Sequence, residues 1–305
     1  MLDENATKAI NDACGTDLSL MYLIELFYRF STGKLTDSQL VQVIQMGSFF
    51  ARNTLKLPLA ADNLDHWLEA GGLQDPAQIM NYSLIEDQKV IIGTLVDEHY
   101  DVIVDGIKKR LLAPPGVEFP TSPATITGPF GHPIEVNPAE SPLADGGEET
   151  LYYDSSTPTT TDSTSDLFNA VNAVHLVSQV QVKSEVLITG EWQVTIVDWQ
   201  VWFWDSYDWN KEGQKVEIPL NLLGRLQADI ARTIEDAMKR ASIPSSVLQG
   251  ITVTDAQMSQ LEGKKIAMPD GSTKQPKAYP IYSNGSSSFD ASTYGKDTVL
   301  TIPPP

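Results

Sequence analysis

GEWQVTIVDWQVWFWDSYDWN, residues Gly190 to Asn210, holds five of the six tryptophans of a 305-residue chain and ends in the acidic cluster Asp205-Ser206-Tyr207-Asp208. Up to Val197 it alternates. Trp192, Val194 and Ile196 oppose Glu191, Gln193 and Thr195, the period of a strand with one buried face. Beyond Val197 the alternation fails, because Trp199, Val201 and Phe203 hold one parity while Trp202 and Trp204 hold the other. Such a strand is covered on both faces or carries a bulge near Asp198. A buried tryptophan removes about 150–250 Å² from water, an upper estimate of ~4–6 kcal/mol each at about 25 cal/mol per Å². The stretch is therefore expected to be a central strand with most of its rings in the core. Trp209, next to the turn that follows, is the expected exposed exception and candidate ligand-binding ring.

Upstream, VSQVQVKSEVLITG keeps Val177, Val180, Val182, Val186 and Ile188 mostly on one parity and reads as the preceding strand. Downstream, Asn210 to Gly213 reads as a turn and Lys215 to Ile218 as a returning strand. Pro219 to Ala241 then carries Leu222, Leu226, Ile230, Ile234 and Met238 in an i,i+4 stripe, an amphipathic helix expected to lie on the sheet. A second helix starts at Thr254-Asp255. The tail from Met268 is rich in Gly, Ser and Pro; it holds short strand candidates in KAYPIYS and DTVLTI and is expected to wrap rather than build core.

The first third of the chain has a different period. DLSLMYLIELFYRF is apolar around most of a helical circumference, with Glu25 and Arg29 at i,i+4. Thr36 and Gln39 make a capping-box start, and Gly71-Gly72 close a short helix before a new start at Asp75-Pro76. Leu84 to Leu112 is a longer helical pattern whose final Lys108, Lys109 and Arg110 suit the negative end of a helix dipole. Between Ala113 and Ser165, nine prolines lie among Thr, Ser, Gly and acidic residues; TITGPF and IEVNP could pack as edge segments. The expected fold is α+β. A helical domain over 1–112 is followed by a Pro-rich linker or wrapping loop over 113–165. Residues 166–305 then form an antiparallel or mixed sheet with one amphipathic helix packed on it.

A formal charge of −19 argues against a nucleic-acid partner, since phosphate binding needs clustered Lys and Arg. One cysteine, Cys14, excludes an intrachain disulfide framework and a thiolate zinc cage. The N-terminus lacks the basic and apolar regions of a secretory signal, and the most apolar segment, Leu18 to Phe30, is too short to span a bilayer. The chain is thus expected to be synthesised in the cytoplasm, and to need a dedicated machine or lysis if it acts outside the cell.

No complete catalytic set is visible. His66, His99, His132 and His175 fall in four elements without i,i+3 or i,i+4 pairing. His66 and His99, on amphipathic helices, read as solvated or locally hydrogen-bonded. Nucleophile elbows, phosphate-cradling glycine loops and dinucleotide fingerprints do not occur. Asp205 and Asp208 remain as paired carboxylates, able to accept hydrogen bonds from turn amides or to hold a divalent cation such as Mg or Ca, with Tyr207 between them.

Asp205-Ser206-Tyr207-Asp208 resembles the D-x-Y-D motif of colicin M-type bacteriocins. VWFWDSYDWN is also similar to segments of bacterial toxin-like and injection-system-associated proteins, over about 25 residues. The resemblance implies a β-rich domain that cleaves the lipid-linked peptidoglycan precursor with a divalent cation, with Asp205, Tyr207 and Asp208 as catalytic residues and Asp205 and Asp208 as metal ligands. That family carries a His-Arg pair shortly after the second aspartate; the corresponding residues here are Gln214 and Lys215.

Three functions follow. The first is an acidic two-domain interaction protein with a protein partner, serving as cargo, effector or accessory of a bacterial secretion or contractile injection machine. The second is the colicin M-like hydrolase, in which His175 on the neighbouring strand would replace the missing histidine. The third is a glycan-binding module that stacks sugars on Trp202, Trp204 or Trp209.

Overall fold

A computed structural model describes residues 4, 7–8, 11–12, 15–69, 78–80, 89–113, 143–162, 164–209, 215–218, 228–240, 242–244 and 251–304. The chain forms two compact units, each assembled from distant stretches. Unit 1 comprises residues 1–76 and 206–279, and unit 2 residues 77–205 and 280–305. The expected boundaries at 112 and 166 are contiguous in sequence and these units are not, because the strands that complete each unit return from the far end of the chain. Cys14, Gly71-Gly72, Asp75-Pro76, His132, the TITGPF and IEVNP segments, the Asn210 to Gly213 turn and Gln214 lie outside the described residues.

Unit 1 contains the helices α1 (Leu20–Ser31), α2 (Asp37–Phe50) and α3 (Pro58–Glu69). Ser19 caps α1 by accepting from the Tyr22 amide, and Thr36 with Gln39 forms the capping box expected for α2. Glu25 and Arg29 pair at 2.7 Å on the exposed side of α1. A π-turn at Ala51–Leu55 follows α2, and Lys56 takes the left-handed conformation at φ 61° before Pro58 opens α3. Leu23, Phe27, Leu40, Ile44, Phe50 and Trp67 are buried in this unit. The same unit contains the antiparallel pair β5 (Lys215–Ile218) with β6 (Ile251–Thr254), and β7 (Ile266–Ala267) with β8 (Thr273–Lys274). It also contains helices α7 (Ala228–Arg240), which buries Ile234 and Met238, and α8 (Asp255–Ser259), which Thr254 and Gln257 cap.

Unit 2 holds the principal sheet, in the order β1-β9-β4-β3-β2, with β10 and β11 also pairing to β4. The strands are β1 (Gln78–Met80), β2 (Glu148–Pro158), β3 (Ala173–Val186), β4 (Trp192–Tyr207), β9 (Tyr279–Ser283), β10 (Ser287–Ser288) and β11 (Val299–Ile302). β4 is central, as its sequence predicts. Its register with β3 slips between Gln181 and Val182, which pair with Asp198 and Ile196 and leave Val197 unpaired, so the bulge sits beside Asp198. The hairpin between them closes with the Gly190 amide donating to the Leu187 carbonyl at 2.9 Å, and Gly190 has φ 83°, a conformation costly for any side chain.

Two segments differ from expectation. β2 lies inside the expected linker, pairing antiparallel with β3 through all eleven of its residues. Leu151, Tyr153, Ser155 and Thr157 alternate there, and an edge strand tolerates the terminal Pro158 because only one side of it must donate. The tail does not merely wrap. β9 buries Tyr279 and Ile281, and β10 and β11 complete β4 on its other side.

Opposite faces of this sheet are different. The inner face carries Val174, Leu176, Ser178, Val180, Trp199, Val201 and Phe203, all buried. Against it packs one helical run made of α4 (Lys89–Thr94), a π-turn (Leu95–His99) and α5 (Tyr100–Leu111). α6 (Asp166–Val171), capped by Ser165, leads into β3. Arg110 of α5 reaches Glu149 of β2 at 2.6 Å and ties the helix to the sheet edge.

Candidate functional site

The strand end from Asp205 to Trp209 is divided between the units, since the boundary falls after Asp205. Within unit 1 its aromatic residues join a packed cluster. Tyr207 stacks on Tyr279 at 5.2 Å and meets Trp209 edge-on at 5.8 Å. Trp209 is edge-on to Trp67 at 6.4 Å, and His66 is edge-on to Tyr279 at 4.4 Å. Edge-to-face contacts suit the ring quadrupoles. The Trp209 carbonyl accepts from Ser259, and the Asp208 amide bonds the Ser206 carbonyl at 3.0 Å.

Trp209, expected as an exposed platform, is 8 % exposed. The reason is its rings' neighbours: Tyr207 and Trp67 pack edge-on against it and cover it. The buried indole N–H groups of Trp67 and Trp209 have no hydrogen-bond acceptor among the described residues. Burial, reinforced by the negative charge of Asp65, pushes the Tyr207 hydroxyl well above the usual tyrosine range, so it stays protonated and can only donate or accept a hydrogen bond.

Asp205 is half-buried. His175 pairs in register with Trp204 and stacks on it at 4.1 Å and 17°. Consecutive residues of a strand point to opposite faces, so Asp205 alternates away from the face that carries His175. A His175 and Asp205 partnership is not built by this strand. Among the described residues no group of three or more His, Cys, Asp or Glu side chains is placed to hold a metal ion.

The inner face of unit 2 contains a polar cluster that the sequence reading did not anticipate. His99 has no solvent exposure. Its Nδ1 lies 2.8 Å from Ser178 Oγ and its Nε2 lies 2.7 Å from Ser155 Oγ. Trp199 Nε1 donates to Ser178 Oγ at 2.9 Å. Since an indole can only donate, we assign the Ser178 proton to His99 Nδ1 and the imidazole proton to Nε2, donating to Ser155; every buried polar atom is then satisfied. Tyr153 covers the ring edge-on at 4.8 Å and donates its hydroxyl to Glu98 at 2.9 Å.

Serine, histidine and a third orienting group within hydrogen-bond reach is the geometry of an activated nucleophile. The electrostatics are not. Burial pushes the His99 pKa down to about 4, and Nδ1 faces a neutral hydroxyl rather than a carboxylate. With Nε2 already protonated, the basic nitrogen is Nδ1; an imidazolium formed by taking the Ser178 proton would be an uncompensated buried charge, whereas a general base works best with a pKa near the operating pH. The cluster serves as a clamp between helix and sheet.

A signal for His99 does exist in the sequence. Ile91, Leu95, His99, Ile103, Ile107 and Leu111 form one unbroken i,i+4 row, and the five apolar members are buried. On a helix of 3.6 residues per turn such a row drifts by about 40° per step. The π-turn at Leu95–His99 winds less tightly and takes back part of that drift, which keeps His99 on the sheet side. The expectation of a solvated or locally bonded His99 fails because its partners lie on β2 and β3, far away in sequence.

The outer face carries the other half of the aromatic stretch. Trp202 and Trp204 are half-buried there, beside Val177 and His175. His175 Nδ1 lies 3.1 Å from Asp154 Oδ1, which fixes the imidazole plane against Trp204. Next to them Gln179 donates to the Tyr152 hydroxyl at 3.1 Å, and Gln200 donates to Asp198 and to Ser288 at 3.0 Å. The result is a partly exposed surface of two indoles and one imidazole bordered by amides, a phenol and carboxylates. No protein-family model, curated protein or solved structure matches this chain.

Proposed function

We propose that the chain is an interaction protein, cargo or accessory of a bacterial secretion or contractile injection machine, and that it meets a protein partner through the outer face of the unit 2 sheet. The observation that carries this reading is the ordered, partly exposed stack of His175 on Trp204, held by Asp154 and placed beside Trp202. Tryptophan in a rigid frame is the side chain most enriched among residues that dominate binding energy. A net charge of −19 favours a partner with a basic surface and rapid, salt-sensitive association. The test is co-purification with such a particle from the native host. Wild-type protein should travel with the particle and Trp202→Ala/Trp204→Ala protein should be released. Wild-type protein recovered only free would overturn the reading.

A second reading, a glycan-binding face, is favoured by the amides of Gln179 and Gln200 beside the two indoles, since sugars are held by stacking together with amide hydrogen bonds. It predicts a saturable change in tryptophan fluorescence on titration with cell-wall polysaccharide, which the partner-protein reading does not.

A further inference from the structure

The inner side of unit 2 contains a cleft of about 130 Å³ that the outer-face reading does not use. Ile91 and Leu95 from the helical run and Val201 from β4 give it an apolar floor, and all three are buried. Its wall is a pair of parallel rings, Phe289 and Tyr294, with centroids 5.3 Å apart and planes 7° apart. Tyr294 is 43 % exposed, so this wall stands at the mouth.

The frame is fixed before any ligand arrives. Phe289 packs edge-on to Trp199 at 5.0 Å, and its amide bonds the Trp199 carbonyl at 2.8 Å. Ser287 pairs with Val201 in the β10 and β4 ladder. Asp290 caps the 3-10 turn Ala291–Tyr294, accepting from the Ser292 amide at 2.9 Å and the Ser292 hydroxyl at 2.7 Å. Ser287, Thr293 and Asp290 line the same cleft.

Size decides the ligand class. Sites for drug-sized molecules enclose about 300–1,000 Å³, so nucleotides and dinucleotides are excluded. An apolar cavity of about 150 Å³ accepts a single benzene ring. Parallel rings at the wall favour a planar guest by offset stacking. The Ser287 hydroxyl, and the Thr293 hydroxyl oxygen, whose proton goes to Asp290 at 3.2 Å, offer a polar group on that guest a partner. The Ser292 hydrogen bonds hold the Asp290 carboxyl below the usual carboxylate range, so the mouth carries a negative charge that disfavours anions.

We propose that this cleft binds one small, neutral, single-ring aromatic molecule bearing a hydroxyl, of the phenol class. The binding is pre-organised, because the floor and wall are held by the sheet, the π-turn and the capped 3-10 turn. A ligand with so few atoms reaches a dissociation constant on the order of 1 mM.

The experiment follows the indole N–H resonance of Trp199 in the full-length protein as phenol is added, with cyclohexanol and benzoate as comparison ligands. Phenol should give a saturable shift near millimolar concentration, and cyclohexanol and benzoate should each bind at least about tenfold more weakly. Ile92→Trp, which fills the cleft from a partly exposed position, should abolish the phenol shift, and Tyr294→Ala, at an exposed position, should weaken it severalfold. A linear, unsaturated response to phenol would overturn the proposal, as would equal affinity for cyclohexanol. A phenol titration unchanged in both variants would also overturn it.

Discussion

Two histidines mark the two faces of the unit 2 sheet. His99 reaches the inner face with both ring nitrogens bonded to serine hydroxyls and no exposed surface. His175 sits on the outer face with one nitrogen held by Asp154, its ring on Trp204 and 38 % of its side chain in solvent. Both rings are oriented, but for different ends. Inside, water cannot replace a lost partner, so each polar atom is bonded within the cluster and the arrangement stabilises the fold. Outside, orientation leaves one ring edge open, and in the proposed function the same residue type serves as a recognition element.

The comparison breaks most clearly at His99. His99→Ala removes two hydrogen bonds and opens a cavity between helix and sheet, and should destabilise the protein by about 3–5 kcal/mol in urea unfolding. A loss no greater than that of Trp204→Ala would mean the inner cluster is not the clamp described here.

Acid sharpens it next. The folded pKa of His99 is about 4, below the ordinary 6.5, so the unfolded chain takes up a proton that the folded chain refuses. Stability from this group is therefore fully present above pH ~6.5 and falls as pH drops toward ~4, by about 3 kcal/mol in total. In His99→Phe, which loses up to about 3 kcal/mol at neutral pH by leaving the Ser178 proton and the Ser155 oxygen without their ring partners, this pH dependence should vanish. Urea midpoints of the two proteins should converge between pH 7 and pH 4; curves that stay parallel would remove the buried neutral imidazole from the account.

On the outer face the effect moves from folding to binding. Trp202→Ala/Trp204→Ala should weaken the partner complex by ~2 kcal/mol or more, about thirtyfold, measured by calorimetry or surface-based binding. Ser155→Ala should be the mildest change, about 1 kcal/mol in urea unfolding, because it removes one hydrogen bond at an edge strand. Should Ser155→Ala cost as much as His99→Ala, the ring would depend on Ser155 rather than on Ser178 and Trp199.

Local signals were legible in the residues. Thr36 with Gln39 forms its capping box, a helix starts at Thr254-Asp255, and Trp202 with Trp204 breaks the alternation of β4 near the bulge beside Asp198. These depend on neighbours within a few positions. β2 was hidden because proline and threonine dominate its surroundings; β9 and β11 were legible as short strands in KAYPIYS and DTVLTI, but not their pairing into the principal sheet, which is set by residues far away in the chain. The candidate site was only partly legible: the tryptophan-rich strand was found, but Ser155, Ser178 and Asp154 are ordinary polar residues until pairing of β2, β3 and β4 sets them next to a histidine.

The chain's own order of residues determined an α+β protein with helices first and sheet last, a central strand at Trp192–Tyr207, the break in its alternation near Asp198, and a net charge of −19. Periodicity, capping and charge are properties of short stretches, so sequence suffices for them. Tertiary structure alone decided that Trp209 is buried, that His175 and Asp205 alternate to opposite faces, and that His99 closes onto Ser155 and Ser178. Those outcomes rest on contacts between residues 20 to about 150 positions apart, whose geometry is set by strand register and helix phase and is not written at any single position.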